Sequence, residues 1–175
     1  MRESRYSSYS PATTFHSDYS KTNFFCHVEN SNEDLLPKPL SLYTHLPFCD
    51  TLCYYCGCHK FISPKTSTLI SYLASIKDGI KIQEKHFNKD RHAQQVHLGG
   101  GTPSYLRIEQ IQTLTETIKD HFVFTNNDDF ELAIEIDPRT TSNADITSLA
   151  GIGFNRMSFS IQDFNESVQK AINRV

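Results

Sequence analysis

From Ser41 onward the chain switches between two hydrophobic periods. Leu42 and Leu46 alternate with Tyr43 and His45, which predicts a short strand over 41–46. Leu69, Tyr72, Leu73, Ile76, Ile80 and Phe87 recur at helical spacing, with Ser67 as the expected cap. A second strand covers 95–98 and runs into Gly99-Gly100-Gly101, and Ile108, Ile111, Leu114, Ile118 and Phe122 form the next helical stripe. A third strand is expected over 130–136, a short helix over 143–150, a fourth strand over 156–162, and a further helix from near Asn165. Residues 1–39 are polar, rich in Ser, Thr and Asn, and show no steady period. They read as an arm with a linker at Leu36-Pro37-Lys38-Pro39, so the expected organisation is an arm over 1–40 and a core domain over 41–175.

Strands alternating with helices imply an α/β fold with a parallel sheet and right-handed crossovers. Two strands favour a barrel over a doubly wound sheet. Phe130, Leu132, Ile134 and Ile136 share one face, opposite Glu131, Glu135 and Asp137; likewise Met157, Phe159 and Ile161 oppose Arg156, Ser158, Ser160 and Gln162. Strands covered by helices on both faces should be apolar throughout. Here the apolar face suits outer helices and the polar face a lumen, into which Tyr43, His45, His97, Glu135 and Gln162 would point together. Four strands are too few to close such a barrel, so the expectation is a barrel truncated after about four strand–helix units.

The composition agrees with a globular chain, at 38% hydrophobic and 21% charged over 175 residues. A net charge of -3 gives no reason to expect nucleic acid or an anionic membrane surface. No apolar run reaches the ~20 residues needed to span a bilayer, and the N-terminus lacks the apolar core of a secretory signal. A cytoplasmic, monomeric protein is expected. The five cysteines are an odd number, and four crowd into 49–58, which does not suit a disulfide framework. Cys26 stands apart and reads as an ordinary small buried residue.

Cys49, Cys53 and Cys56 follow directly on the first strand, in the loop at its carboxyl end, where parallel barrels carry their chemistry. Three thiolates on one loop can bind three irons of a 4Fe–4S cluster and leave the fourth open. A structural zinc knot is the alternative, with Cys58 as fourth ligand, but zinc usually takes paired half-sites rather than this x3-x2-x1 spacing. Glycine runs usually mark turns; after a strand and opposite the cysteine loop, Gly99-Gly100-Gly101 also permit close backbone approach to a ligand. A lone histidine is more often structural than chemical, so His45 and His97 are not placed among catalytic residues.

The run Leu42-Tyr43-Thr44-His45-Leu46-Pro47-Phe48-Cys49, continued by Cys53-Tyr54-Tyr55-Cys56-Gly57-Cys58, resembles the radical S-adenosylmethionine (radical SAM) enzymes, and within them the oxygen-independent coproporphyrinogen III oxidases. Leu98-Gly99-Gly100-Gly101-Thr102-Pro103-Ser104-Tyr105-Leu106, Ile134-Glu135-Ile136-Asp137-Pro138-Arg139, Gly153-Phe154-Asn155-Arg156 and Ile161-Gln162-Asp163-Phe164-Asn165 are similar to further motifs of that family, in the same order. Arg5-Tyr6-Ser7-Ser8-Tyr9 resembles its N-terminal arm, with Ser10-Pro11 departing from the usual order.

The resemblance implies a partial (β/α)6 barrel and one 4Fe–4S cluster held by Cys49, Cys53 and Cys56. It implies two molecules of S-adenosylmethionine, the first met by Tyr43, Gly100 and Glu135, the second by Tyr55, Cys58, Gly101, Thr102, Gln162 and Arg174. For Cys58 a packed thiol is the competing reading. The implied reaction begins with reductive cleavage of S-adenosylmethionine to a 5′-deoxyadenosyl radical. The radical abstracts hydrogen from a propionate of coproporphyrinogen III, and loss of carbon dioxide and an electron leaves a vinyl group. Repetition gives protoporphyrinogen IX in heme biosynthesis, with an unidentified electron donor and acceptor and no side-chain general base. Alternatives are a radical SAM protein that handles or degrades heme, and a non-catalytic metal-binding module. A chain this short is expected to be inactive alone.

Overall fold

The computed structural model describes residues 16–126 and 128–175; the Arg5-to-Tyr9 run lies outside them. The chain divides into two compact units, residues 1–37 and 38–175. In the first, helix α1 (Lys21–Asn32) forms where the sequence shows no steady hydrophobic period. Its signal is at its start rather than in a hydrophobic stripe. Ser20 Oγ accepts from the Asn23 amide at 3.2 Å, and Asn23 Oδ1 accepts from the Ser20 amide at 2.9 Å. This reciprocal cap satisfies donors the helix itself leaves open. The helix buries only Val28, so Cys26, expected to be buried, is exposed on it.

The second unit runs β1 (Leu40–Leu46), β2 (Phe48–Cys49), β3 (Phe61–Ile62), α2 (Thr66–Glu84), β4 (Ala93–Gly100), a 3₁₀ turn (Pro103–Tyr105), α3 (Ile108–His121), β5 (Glu131–Ile136), α4 (Asn143–Ile152), β6 (Arg156–Phe159) and α5 (Glu166–Ala171). Strands β1, β4, β5 and β6 form one sheet in that spatial order, each neighbouring pair parallel. The order follows the sequence without reversal. A doubly wound sheet reverses at its switch point, whereas sequential order is that of a barrel wall.

One face of this wall makes the core. Val96 and Leu98 of β4 and Leu132, Ile134 and Ile136 of β5 pack with Leu69 of α2, Ile111, Leu114 and Ile118 of α3, and Leu149 of α4. Burying each such aliphatic side chain is worth about 1.5–3 kcal/mol, so the helices are held to this face by the alternation in the strands. The opposite face carries Tyr43, His97, Glu131 and Glu135, as the alternation predicts.

Two local expectations are corrected. Helix α2 starts after Lys65, which has the extended N-cap backbone and makes no side-chain cap bond; Ser67 is the second helical residue. Strand β6 ends at Phe159 rather than Gln162, because Ile136, the last residue of β5, pairs with Phe159 and offers nothing beyond. Met157 packs against the core, but Phe159 and Ile161 are 49% and 51% exposed instead of covered by helices. Helix α5 begins where expected, with Asn165 Oδ1 accepting from the Ser167 amide at 2.9 Å. Among the described residues, no helix is long and apolar enough to cross a membrane.

Candidate functional site

The cysteine loop is pinned at both ends. Strand β2 follows β1 after Pro47, and its Phe48 is 1% exposed, packed edge-on against Tyr72 of α2. The Phe61 amide donates to Pro47 O at 2.6 Å and the Ser63 amide to Cys49 O at 2.8 Å, so β2 and β3 close the loop between them. Inside it, Lys60 Nζ donates to Cys56 O at 2.8 Å and Cys58 O at 3.3 Å. Cys49 and Cys53 are buried, Cys56 is half-buried and Cys58 exposed.

The glycine run at the end of β4 lies against the start of this loop. The Gly101 amide donates to Leu46 O at 3.0 Å and the Thr102 amide to Phe48 O at 2.8 Å. Gly100 has φ +126, a left-handed conformation that L side chains rarely adopt. Thr102 Oγ1 donates to Cys49 Sγ at 3.5 Å. Burial pushes the Cys49 thiol pKa up, and nearby Cys56 and Cys53 add to this; the Thr102 hydrogen bond and the Lys60 charge act the other way.

Glu135 reaches across from β5. Its Oε2 accepts from the Gly100 amide at 3.1 Å, and Oε1 lies 3.3 Å from His97 Nε2. Tyr43 stacks on His97 with ring centroids 5.7 Å apart and puts its hydroxyl 3.2 Å from His45 Nδ1. The expected inward residues of β1, β4 and β5 therefore form one network.

A second network stands behind Cys53. Asp137, 5% exposed, receives Arg139 Nε at 3.0 Å and Arg139 Nη2 at 2.7 Å, with Arg174 Nη2 3.9 Å away. Burial alone would raise the Asp137 carboxyl pKa, but the Arg139 hydrogen bonds and the Arg174 and Arg139 charges hold it below its ordinary value. Arg174 Nη1 donates to Cys53 Sγ at 3.4 Å and Nη2 to Ser160 O at 2.8 Å.

These pieces line an open cavity of about 630 Å³, within the range of small-molecule sites. Cys49, Cys53, Cys56, Cys58, Tyr55, Gly100, Gly101, Thr102, Glu135, Gln162 and Arg174 all line it. Of the expected site residues only Tyr43 does not; it is 59% exposed and meets the site through His97. Lys60, Asp137 and Arg139 also line the cavity without having been singled out from the sequence as site residues. Lys60 had no signal beyond lying two residues after Cys58. The Asp137 and Arg139 pair was legible as a motif, but its partner Arg174 lies on a later segment, beyond α4, β6 and α5.

Residues 43–175 match the radical SAM superfamily, and the chain belongs to it. Among curated relatives, the oxygen-independent coproporphyrinogen III oxidase of Synechocystis is 40% identical over 98% of this chain and 36% of its own length. The protein of the same name from Salmonella typhimurium is 41% identical over 97% of this chain and 36% of its own. In the solved structure of Escherichia coli coproporphyrinogen III oxidase (HemN), described as a radical SAM enzyme, 38% of the chain is covered by 98% of this one, with TM-score 0.84 and 39% identity. The chain thus spans little more than a third of the relatives it matches.

Membership implies a 4Fe–4S cluster and S-adenosylmethionine, and the residues present fit both. Among the described residues no three His, Cys, Asp or Glu gather closely enough to hold a single metal ion. Cys49, Cys53 and Cys56 share the wall of one cavity, so three thiols are available there to separate irons of a cluster. Gly101 leaves open the space that a Cβ would take beside Cys49 Sγ.

Proposed function

We propose that Cys49, Cys53 and Cys56 hold the cluster, and that the sequence serves the oxygen-independent oxidative decarboxylation of coproporphyrinogen III to protoporphyrinogen IX. The observation that carries this reading is the convergence of the three thiols, the Gly100-to-Thr102 backbone and the Glu135 carboxylate on one cavity at the carboxyl ends of parallel strands. When bound, the cluster and S-adenosylmethionine supply hydrogen-atom abstraction from a propionate carbon, after which carbon dioxide leaves.

The chain's own residues position those groups. Thr102 orients the Cys49 sulfur, and Lys60 fixes the loop through two carbonyls. Glu135, held by the Gly100 amide, presents an anionic acceptor for the amino group of a first S-adenosylmethionine, with Tyr43 supporting it through His97. Tyr55, Cys58, Gly101, Thr102, Gln162 and Arg174 are assigned to a second molecule. The proposed setting is a cytoplasmic monomer with separate electron donor and acceptor, its core domain beginning near residue 41 after an N-terminal arm.

Anaerobic reconstitution with iron and sulfide tests the reading. It predicts a brown protein with about four irons and four sulfides per chain, whose visible absorbance bleaches on reduction. Colourless protein holding stoichiometric zinc would overturn it.

A further inference from the structure

Three consecutive residues near the carboxyl end are fastened to three consecutive residues of the cysteine loop. Ile172 O accepts from the Tyr54 amide at 3.1 Å, Asn173 Nδ2 donates to Leu52 O at 2.7 Å, and Arg174 Nη1 donates to Cys53 Sγ at 3.4 Å. Asn173 makes this possible by taking φ +56, a left-handed conformation that asparagine tolerates better than most residues. The turn swings Arg174 back over the loop, where its side chain is 13% exposed.

Arg174 carries its charge to that contact. Asp137 is one carboxylate facing two guanidiniums. Arg139 takes it in a two-pronged pair, at 3.0 and 2.7 Å, while Arg174 stands 3.9 Å off and spends its closer bonds on Cys53 Sγ and Ser160 O. Arg139 also donates to Val175 O at 3.4 Å, so the guanidinium that bears on the Cys53 sulfur is that of Arg174, in a partly desolvated site. Hydrogen bonds and positive charge at a ligating sulfur stabilise the electron-rich state of a cluster, so they raise its reduction potential.

We propose that Arg174, positioned by Asp137 and Ser160, sets the reduction potential of the cluster through Cys53. This rests on the assignment of Cys53 as a cluster ligand. It gives the segment 172–174 an electronic role in addition to any contact Arg174 makes with S-adenosylmethionine. It also means that the sulfurs are inequivalent, since the hydrogen bond to Cys49 among the described residues comes from the neutral Thr102 hydroxyl and that to Cys53 from a guanidinium.

The test is a potentiometric titration, followed by electron paramagnetic resonance, of the reconstituted full chain and its R174Q and R174K variants, without S-adenosylmethionine. A midpoint is independent of how many molecules carry a cluster, so partial loading does not disturb it. R174Q is expected to lower the midpoint: at the parent's midpoint its reduced-to-oxidised ratio falls about tenfold, or about 59 mV for one electron. R174K, which keeps the charge but not the planar fork, is expected to fall between the two. Equal midpoints for R174Q and the parent would overturn the proposal. If R174Q holds no cluster, R174M, which also removes the charge, decides: a lowered midpoint supports the proposal and an unchanged one overturns it. Failure of the parent to take up a cluster is a different result, because it removes the cluster assignment itself.

Discussion

Gly101 lies so close to Cys49 that a Cβ on it would stand 2.8 Å from the Sγ, and 2.9 and 3.0 Å from backbone atoms of Phe48 and Pro47. Two of those neighbours are main chain and cannot rotate away. Gly101→Ala is therefore expected to cost about 1–3 kcal/mol and to lower iron uptake, read by denaturant unfolding and iron analysis. Gly99→Ala meets only ends of side chains, the Tyr43 and His97 rings at 2.8 and 2.9 Å, and is expected to keep its iron while disturbing the Tyr43 stack.

Glu135 links two strands by accepting from the Gly100 amide at 3.1 Å. Glu135→Gln keeps an oxygen for that bond and loses the charge offered to the S-adenosylmethionine amino group. Charge-assisted hydrogen bonds contribute about 1.5–3 kcal/mol, so affinity for S-adenosylmethionine should fall roughly ten- to a hundredfold with little change in thermal stability. Isothermal titration of the reconstituted protein reads the affinity, and a thermal melt reads the stability.

Asp137 ties stability to pH. Its carboxyl is held below the ordinary 3.8 by Arg139 and Arg174 against the opposing effect of burial. A folded-state pKa below the unfolded one gives stability that is present above pH ~4 and lost as the pH falls through the folded value. Denaturation of the iron-free protein at pH 7 and then stepwise below 4 should show stability declining, and Asp137→Asn should flatten that decline. The same variant is expected to cost a few kcal/mol at pH 7, near the lower end of values for broken buried pairs, because Arg139 is partly exposed.

The cysteines separate into two groups. Cys49→Ser, Cys53→Ser and Cys56→Ser should each lose the visible absorbance of the reconstituted protein, whereas Cys58→Ser and Cys26→Ser should retain it. Cys58 is exposed and lines the cavity beside Cys56, and Cys26 lies on α1 in the other compact unit. Loss of iron from Cys58→Ser alone would move that residue into the ligand set.

Much of the wall of the site was legible because its signals are local. Alternation in 130–136 placed Glu135 on the polar face, and the cysteine spacing marked the loop before any contact was known. Helix α1 was missed because its start depends on a Ser20–Asn23 cap and not on a repeating apolar face. The tail of β6 was overextended because alternation continues past Phe159, while hydrogen-bonded partners do not. Arg174 against Cys53 could not be read from sequence at all: the contact joins residues 121 positions apart and depends on one left-handed turn at Asn173.

The central claim is a three-thiolate cluster with one iron open to S-adenosylmethionine. Electron paramagnetic resonance of the reduced, reconstituted chain, recorded before and after adding S-adenosylmethionine, tests it most directly. A 4Fe–4S signal whose g-values shift on addition is expected, with a much smaller shifted fraction when the Glu135→Gln variant is measured at the same subsaturating concentration. A cluster signal in the parent that S-adenosylmethionine leaves unchanged at any concentration would contradict it.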